Sequence, residues 1–207
     1  MTMTPTDLIN YTGTAAFAFS GYLVGYEKRL DMMGVAIAAL LTAVGGGMMR
    51  DALVSRIPQV FQHTDALVVV FATLAVSWLL HLERYRKAAL TTAFITADAV
   101  GLAAFSITGA QVGLAMGLNL FGVVLLAFVT AVGGGMARDI LVNRMPMILK
   151  TDLYGTVAIA IAALLYLFDR LGWNNAFTLN LLFAGGCLLR LAAYHLHWQL
   201  PGFQKKY

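Results

Sequence analysis

The sequence predicts an all-α membrane protein: seven transmembrane helices forming an inverted three-plus-three repeat plus a seventh helix, with the N-terminus outside and the C-terminus inside. Composition, the length of the charge-free stretches and a duplicated motif lead there. The 207 residues are 60% hydrophobic and only 12% charged, with a mean hydropathy of +0.77. Soluble domains carry about 25% charged residues and roughly 45–50% apolar ones. This excess excludes an ordinary soluble enzyme and a disordered chain. Spread along the whole sequence, it indicates a single polytopic membrane domain over residues 1–207. The glycines show no three-residue period, which excludes a collagen-like chain, and the one cysteine, Cys187, can close no internal disulfide.

A helix crossing a hydrocarbon core of about 30 Å needs roughly 20 apolar residues. Residues 7–26 supply the first. No Lys or Arg precedes it, so it lacks the basic start of a cleavable signal and is expected to be retained. The second and third follow at 32–56 and 64–82. Between Asp98 and Arg138 there is no charged residue at all, a stretch too long for one span. It holds most of the fourth and fifth helices, 91–111 and 117–143. The sixth, 153–169, is slightly short and relies on snorkelling ends; the seventh is 174–196.

The loop charges set the orientation. Lys28, Arg29, Arg84, Arg86, Lys87, Arg144, Lys150, Lys205 and Lys206 fall on one side, with Arg138 toward it, against only Arg50, Arg56 and Arg170 on the other. The basic side is cytoplasmic. The pI of about 9.3 thus reflects loop asymmetry and argues against a nucleic-acid partner.

Residues 42–58, TAVGGGMMRDALVSRIP, nearly recur at 130–146 as TAVGGGMARDILVNRMP, agreeing at 13 of 17 positions with a spacing of 88. Gly13, Ala15, Ala16, Phe17, Gly21 and Gly34 match Gly101, Ala103, Ala104, Phe105, Gly109 and Gly122 at the same spacing. The duplicated unit holds three helices (repeat one 7–82, repeat two 91–169), an odd number, so the second copy enters the membrane from the opposite side. Such repeats build channels and transporters whose sites lie at discontinuous helices. Each Gly costs a helix roughly 1 kcal/mol relative to Ala. Gly45, Gly46 and Gly47, and their copies Gly133, Gly134 and Gly135, are therefore expected to break the second and fifth helices and present carbonyls to a monovalent cation.

Arg50–Asp51 and Arg138–Asp139 follow the triplets. Sequence neighbours on a helix do not face each other, so each Arg is expected to pair elsewhere; terminal anchoring is the bland alternative. Asp98, the most isolated acid, attracts cations or pairs with an Arg, or else is a structural hydrogen-bond acceptor. Phe17 and Phe105 are candidates for a pore constriction, with core packing as the alternative. Arg190 reads as a snorkelling residue, and the Gly21–Gly25, Gly109–Gly113 and Gly113–Gly117 pairs as close helix packing. His195 and His197, like His81 and Glu83, are two apart and make poor metal pairs, so no metal site is expected. No nucleophile–base or phosphate-loop motif is present, and no enzyme is expected.

Seven helices, an inverted repeat and a GGGMxRD element in helices 2 and 5 together resemble the trimeric intracellular cation (TRIC) channels in their prokaryotic form. The resemblance covers nearly the whole chain. It implies a homotrimer in the plasma (inner) membrane of a prokaryote, embedded in membrane lipid, each subunit enclosing a potassium-preferring pore. Helices 2 and 5 would bend beside it at Gly45–Gly47 and Gly133–Gly135. No cofactor is implied beyond the permeant potassium or sodium ions. The animal members carry Lys-Glu-Val after the first glycine region; here it reads Met48-Met49-Arg50-Asp51, so phosphoinositide binding does not carry over. The alternative is a secondary transporter of a small amino acid such as glycine, suggested for related bacterial sequences with the same duplicated domain.

Overall fold

A computed structural model of the protein describes residues 5–80, 86–150, 153–196 and 198. All regular structure among them is helical: α1 (Pro5–Glu27), α2 (Met32–Leu53), α3 (Gln59–Gln62), α4 (Asp65–Leu79), α5 (Lys87–Ala115), α6 (Leu120–Leu141), α7 (Met147–Lys150), α8 (Tyr154–Arg170) and α9 (Ala176–His195). By length and composition, α2, α5, α6 and α9 can each cross a membrane, whereas α4 has 15 residues. His81, Glu83, Arg84, His197, Lys205 and Lys206 lie outside the described residues, as does the side chain of Lys150.

The two halves use the same local devices 88 residues apart. Asp31 and Asn119 cap α2 and α6, their side chains accepting the Gly34 and Gly122 N–H groups at 2.7 and 2.9 Å. Both helices end earlier than the expected 56 and 143. Ser55 and Asn143 take left-handed conformations at φ 53° and 52°. The next N–H groups, of Arg56 and Arg144, reach back to the Asp51 and Asp139 carbonyls at 2.8 and 2.7 Å. Pro58 and Pro146 then bar any continuation, and the four-residue helices α3 and α7 follow.

The helices α1, α2, α6 and α5 form a closed ring in which each packs against its two neighbours. On it, α4 lies against α1 and α2, α8 against α5 and α6, and α9 against α5 and α8. Small residues make the approach possible. A Cβ on Gly21 would lie 2.6 Å from the Ala39 Cα, and one on Gly109 would lie 2.7 Å from the Ala127 Cα. The Gly21–Gly25 and Gly109–Gly113 pairs therefore seat α1 on α2 and α5 on α6. Gly117 sits instead in the turn after α5, at φ +68°.

The glycine triplets do not break their helices. α2 and α6 run unbroken through them, so the carbonyl ligands expected from a discontinuity are not released. The glycines are spent on a helix crossing. A Cβ on Gly46 would collide with the Thr130 carbonyl oxygen, and one on Gly134 with that of Thr42. The contact is reciprocal, as about a local two-fold axis. Close backbone approach, worth more than lost helix propensity, explains the central glycine of each triplet.

Candidate functional site

Each crossing helix ends in the same Arg-Asp unit. Arg50 donates from Nε to Asp51 Oδ1 at 2.8 Å, and Arg138 from Nε to Asp139 Oδ1 at 2.9 Å. The other carboxylate oxygens accept the N–H groups that begin α3 and α7, Gln59 at 3.0 Å and Met147 at 3.1 Å. For Arg50 these bonds correct the expectation that each Arg pairs away from its neighbour, whereas Arg138 makes the adjacent pair and also reaches distant partners. The Asp is turned toward the helix end by the following segment, where a long guanidinium arm can fold back onto it. Terminal anchoring fails as well, since Arg50 is 6% exposed and Arg138 fully buried.

Around Arg138 further groups converge from four helices. Its Nη1 donates to Ser20 Oγ of α1 at 2.6 Å and lies 3.7 Å from Asp98 Oδ1 of α5. Its guanidinium stands 5.2 Å from the centre of the Phe94 ring. Tyr154, at the start of α8, lies beside Asp98, and the Arg190 guanidinium of α9 covers the Tyr154 ring at 4.9 Å. Asp98, Arg138, Tyr154 and Arg190 are all buried. At 3.7 Å the Asp98 contact is an ion pair without a hydrogen bond, which needs about 2.7–2.9 Å. Among the described residues Asp98 has Tyr154 as its close polar neighbour without a well-formed hydrogen bond, and Arg138 Nη2 and Arg190 Nη1 and Nη2 likewise meet no acceptor in hydrogen-bond geometry.

The expected residues thus divide. Asp98, Arg138 and Asp139 are brought together, with Gly135 beneath them; Arg50, Asp51 and Gly47 line a separate narrow cleft of about 50 Å³ with Asn10, Thr14 and Phe105. Phe17 and Phe105 meet between α1 and α5, ring centres 5.2 Å apart, with the Phe17 ring seated on Gly101. A larger cavity of about 470 Å³ opens at the other end of α1, between Glu27, Arg29, Lys87, Phe94 and Arg144. Arg190 is no snorkelling residue: at 1% exposure it points into the protein. Sequence reasoning also passed over Ser20, Phe94 and Tyr154. Only Ser20, a polar residue within a span, carried any signal; the aromatics are ordinary in such helices.

The fold that carries this site has solved counterparts. A prokaryotic TRIC channel crystallised in 0.5 M KCl superposes with a TM-score of 0.85 at 30% identity, over 94% of this chain and 98% of that one. A TRIC trimeric intracellular cation channel orthologue from Rhodobacter sphaeroides gives 0.83 at 29%, over 93% and 98%. The chain belongs to the prokaryotic TRIC channel family. The family model described as Glycine transporter matches residues 7–82 and 95–170. The UPF0126 membrane protein YvgT of Bacillus subtilis is 34% identical over 94% of this chain and 95% of its own length. The UPF0126 inner membrane protein YadS of Escherichia coli is 33% identical, over 94% of each. The protein is accordingly a multi-pass inner-membrane protein, and its solved neighbours are ion channels rather than enzymes.

Proposed function

We propose that the protein is a monovalent-cation channel, potassium before sodium, working without a cofactor as a homotrimer of seven-span subunits with the N-terminus outside and the C-terminus inside. The observation that carries this reading is the likeness to solved TRIC cation channels at 29–31% identity along nearly the whole chain. Each subunit has its own path, within the ring of α1, α2, α5 and α6. Two recesses support that placement. One, at the start of α1 and the end of α2, holds Asp51; the other, at the end of α1 and the start of α5, holds Glu27.

Between the recesses stand the Phe17–Phe105 pair and the Arg138–Ser20 bond, which ties α6 to α1. Release of Arg138 from Ser20 opens the path in this reading. With α2 and α6 unbroken, ions are drawn by Asp51, Asp98 and Asp139 rather than dehydrated by a carbonyl cage. The test is potassium flux in proteoliposomes with no organic substrate added. Flux in the parent, increased by Ser20→Ala, is expected; its absence overturns the reading.

A second reading, transport of a small amino acid, is favoured by the description of the matching family model. Saturable glycine exchange without unitary currents would replace the channel by this alternative.

A further inference from the structure

The recess of about 470 Å³ at the end of α1 and the start of α5 is charged in the wrong sense for a cation mouth. Its lining holds one acid, Glu27, and three bases, Arg29, Lys87 and Arg144. Glu27 is already engaged, its Oε2 accepting from Arg144 Nη1 at 3.3 Å. Arg29 and Lys87, both exposed, have no ion-pair partner among the described residues. Asp31, close to Arg29 in sequence, does not line the recess; its carboxylate caps α2 through the Gly34 N–H at 2.7 Å. Two positive charges are thus left unbalanced beside the apolar walls of Leu23, Leu90 and Phe94, which concentrate their field on the recess. The cleft at the other end is balanced. Arg50, the base in its lining, is locked to Asp51 at 2.8 Å, and exposed Asp65 adds negative charge beside Ala66 of that lining.

A positive potential at a mouth thins the cations waiting there. It slows their entry from that side and leaves entry from the other side alone. We propose, resting on the channel reading above, that the protein rectifies: cations enter more readily from the Asp51 end than from the Glu27 end. Arg29 and Lys87 set the difference, and Glu27 limits it by neutralising Arg144. Two unit charges roughly 7 Å from an ion in water, screened over a Debye length of about 10 Å at 0.1 M salt, lower the local cation concentration about two- to threefold. At 1 M salt the Debye length is about 3 Å and the depletion nearly vanishes. The asymmetry therefore belongs to low and physiological salt. Its favoured direction is into the cytoplasm in the orientation proposed above.

The test is single-channel recording in planar bilayers of uncharged lipid, in symmetric potassium chloride at 0.1 M and at 1 M. At 0.1 M, current entering from the Glu27 end should be about a third to a half of that entering from the Asp51 end at the same voltage. At 1 M the two should converge. Arg29→Gln with Lys87→Gln should make the low-salt current nearly symmetric. Glu27→Gln, which releases the Arg144 charge, should deepen the asymmetry, a change of opposite sign that loosened packing would not produce. Lys87→Cys, in a Cys187→Ser background, identifies the side. A negatively charged methanethiosulfonate added to the chamber facing the Glu27 end should raise low-salt entry from that chamber, and the same reagent in the other chamber should change nothing. Equal low-salt currents in the parent overturn the proposal, as does an asymmetry that survives unchanged at 1 M or in the double variant. Each of those outcomes leaves the channel standing. Absence of potassium current at either salt concentration overturns the channel reading, and the rectification with it.

Discussion

Arg50 and Arg138 occupy equivalent places 88 residues apart, on equivalent helices, each folded onto the next residue's carboxylate. Their surroundings differ. Where the second repeat has Asp98, Phe94 and Tyr154, the first has Asn10, Thr6 and Ala66, and nothing in the first corresponds to Arg190 of the extra helix. The first unit consequently borders a cleft, and the second is sealed. The backbone framework is common property of the duplication; a few side chains and one added helix turn one copy into an entrance and the other into a closed charge cluster. A path with unlike ends needs no more than that.

The largest effect expected from this contrast is on stability. Arg138→Ala leaves Asp98 buried without its ion-pair partner and should cost about 3–5 kcal/mol. Arg50→Ala, beside an open cleft that admits water to Asp51, should cost about 1–3 kcal/mol. Unfolding midpoints in mixed micelles measure both, and equal losses would break the comparison. Next come the crossing glycines, where the repeats should behave alike. Gly46→Ala and Gly134→Ala each drive a methyl into a backbone carbonyl and should cost about 1–3 kcal/mol. Gly45→Ala and Gly47→Ala, with nothing nearer than 3.5 Å, should be neutral or stabilising by up to about 1 kcal/mol. A triplet that acted as a hinge would show no such pattern by position.

A smaller, purely functional effect sharpens the contrast. Ala66→Tyr gives the first repeat the aromatic that the second already has, and Ala66 lines the cleft. Potassium flux should fall several-fold while the unfolding midpoint stays put. Unchanged flux would remove this cleft from the path.

The helices and the duplication were legible because both are written in local pattern: apolar length, capping residues and a motif read twice. The importance of the triplets was legible too, but not their use. Glycine permits either a broken helix or a close crossing, and only the partner helix, far away in sequence, decides which. Arg190 was misread for the same reason, since a charge near a helix end looks alike whether it snorkels outward or turns in toward Tyr154. The Arg-Asp pairing was missed because spacing rules describe mid-helix side chains. The bonds from Gln59 and Met147 that turn each Asp arise from the chain beyond the helix.

The smallest effect concerns the two helix ends. Ser55 and Asn143 both sit in the left-handed region, at φ 53° and 52°, closing the same backbone motif after α2 and α6. For most L-residues that conformation costs about 1–2 kcal/mol, whereas asparagine, whose short polar side chain can hydrogen-bond locally, tolerates it better. Glycine relieves the strain but loses more entropy on folding, by roughly 0.5–1 kcal/mol. Ser55→Gly should therefore stabilise the protein by up to about 1 kcal/mol, the strain outweighing the entropy. Asn143→Gly starts with less strain to relieve and should be near neutral or slightly destabilising. Paired thermal melts of the two variants measure the difference, and an equal gain at both positions would show that the two helix ends carry the same strain despite their different residues.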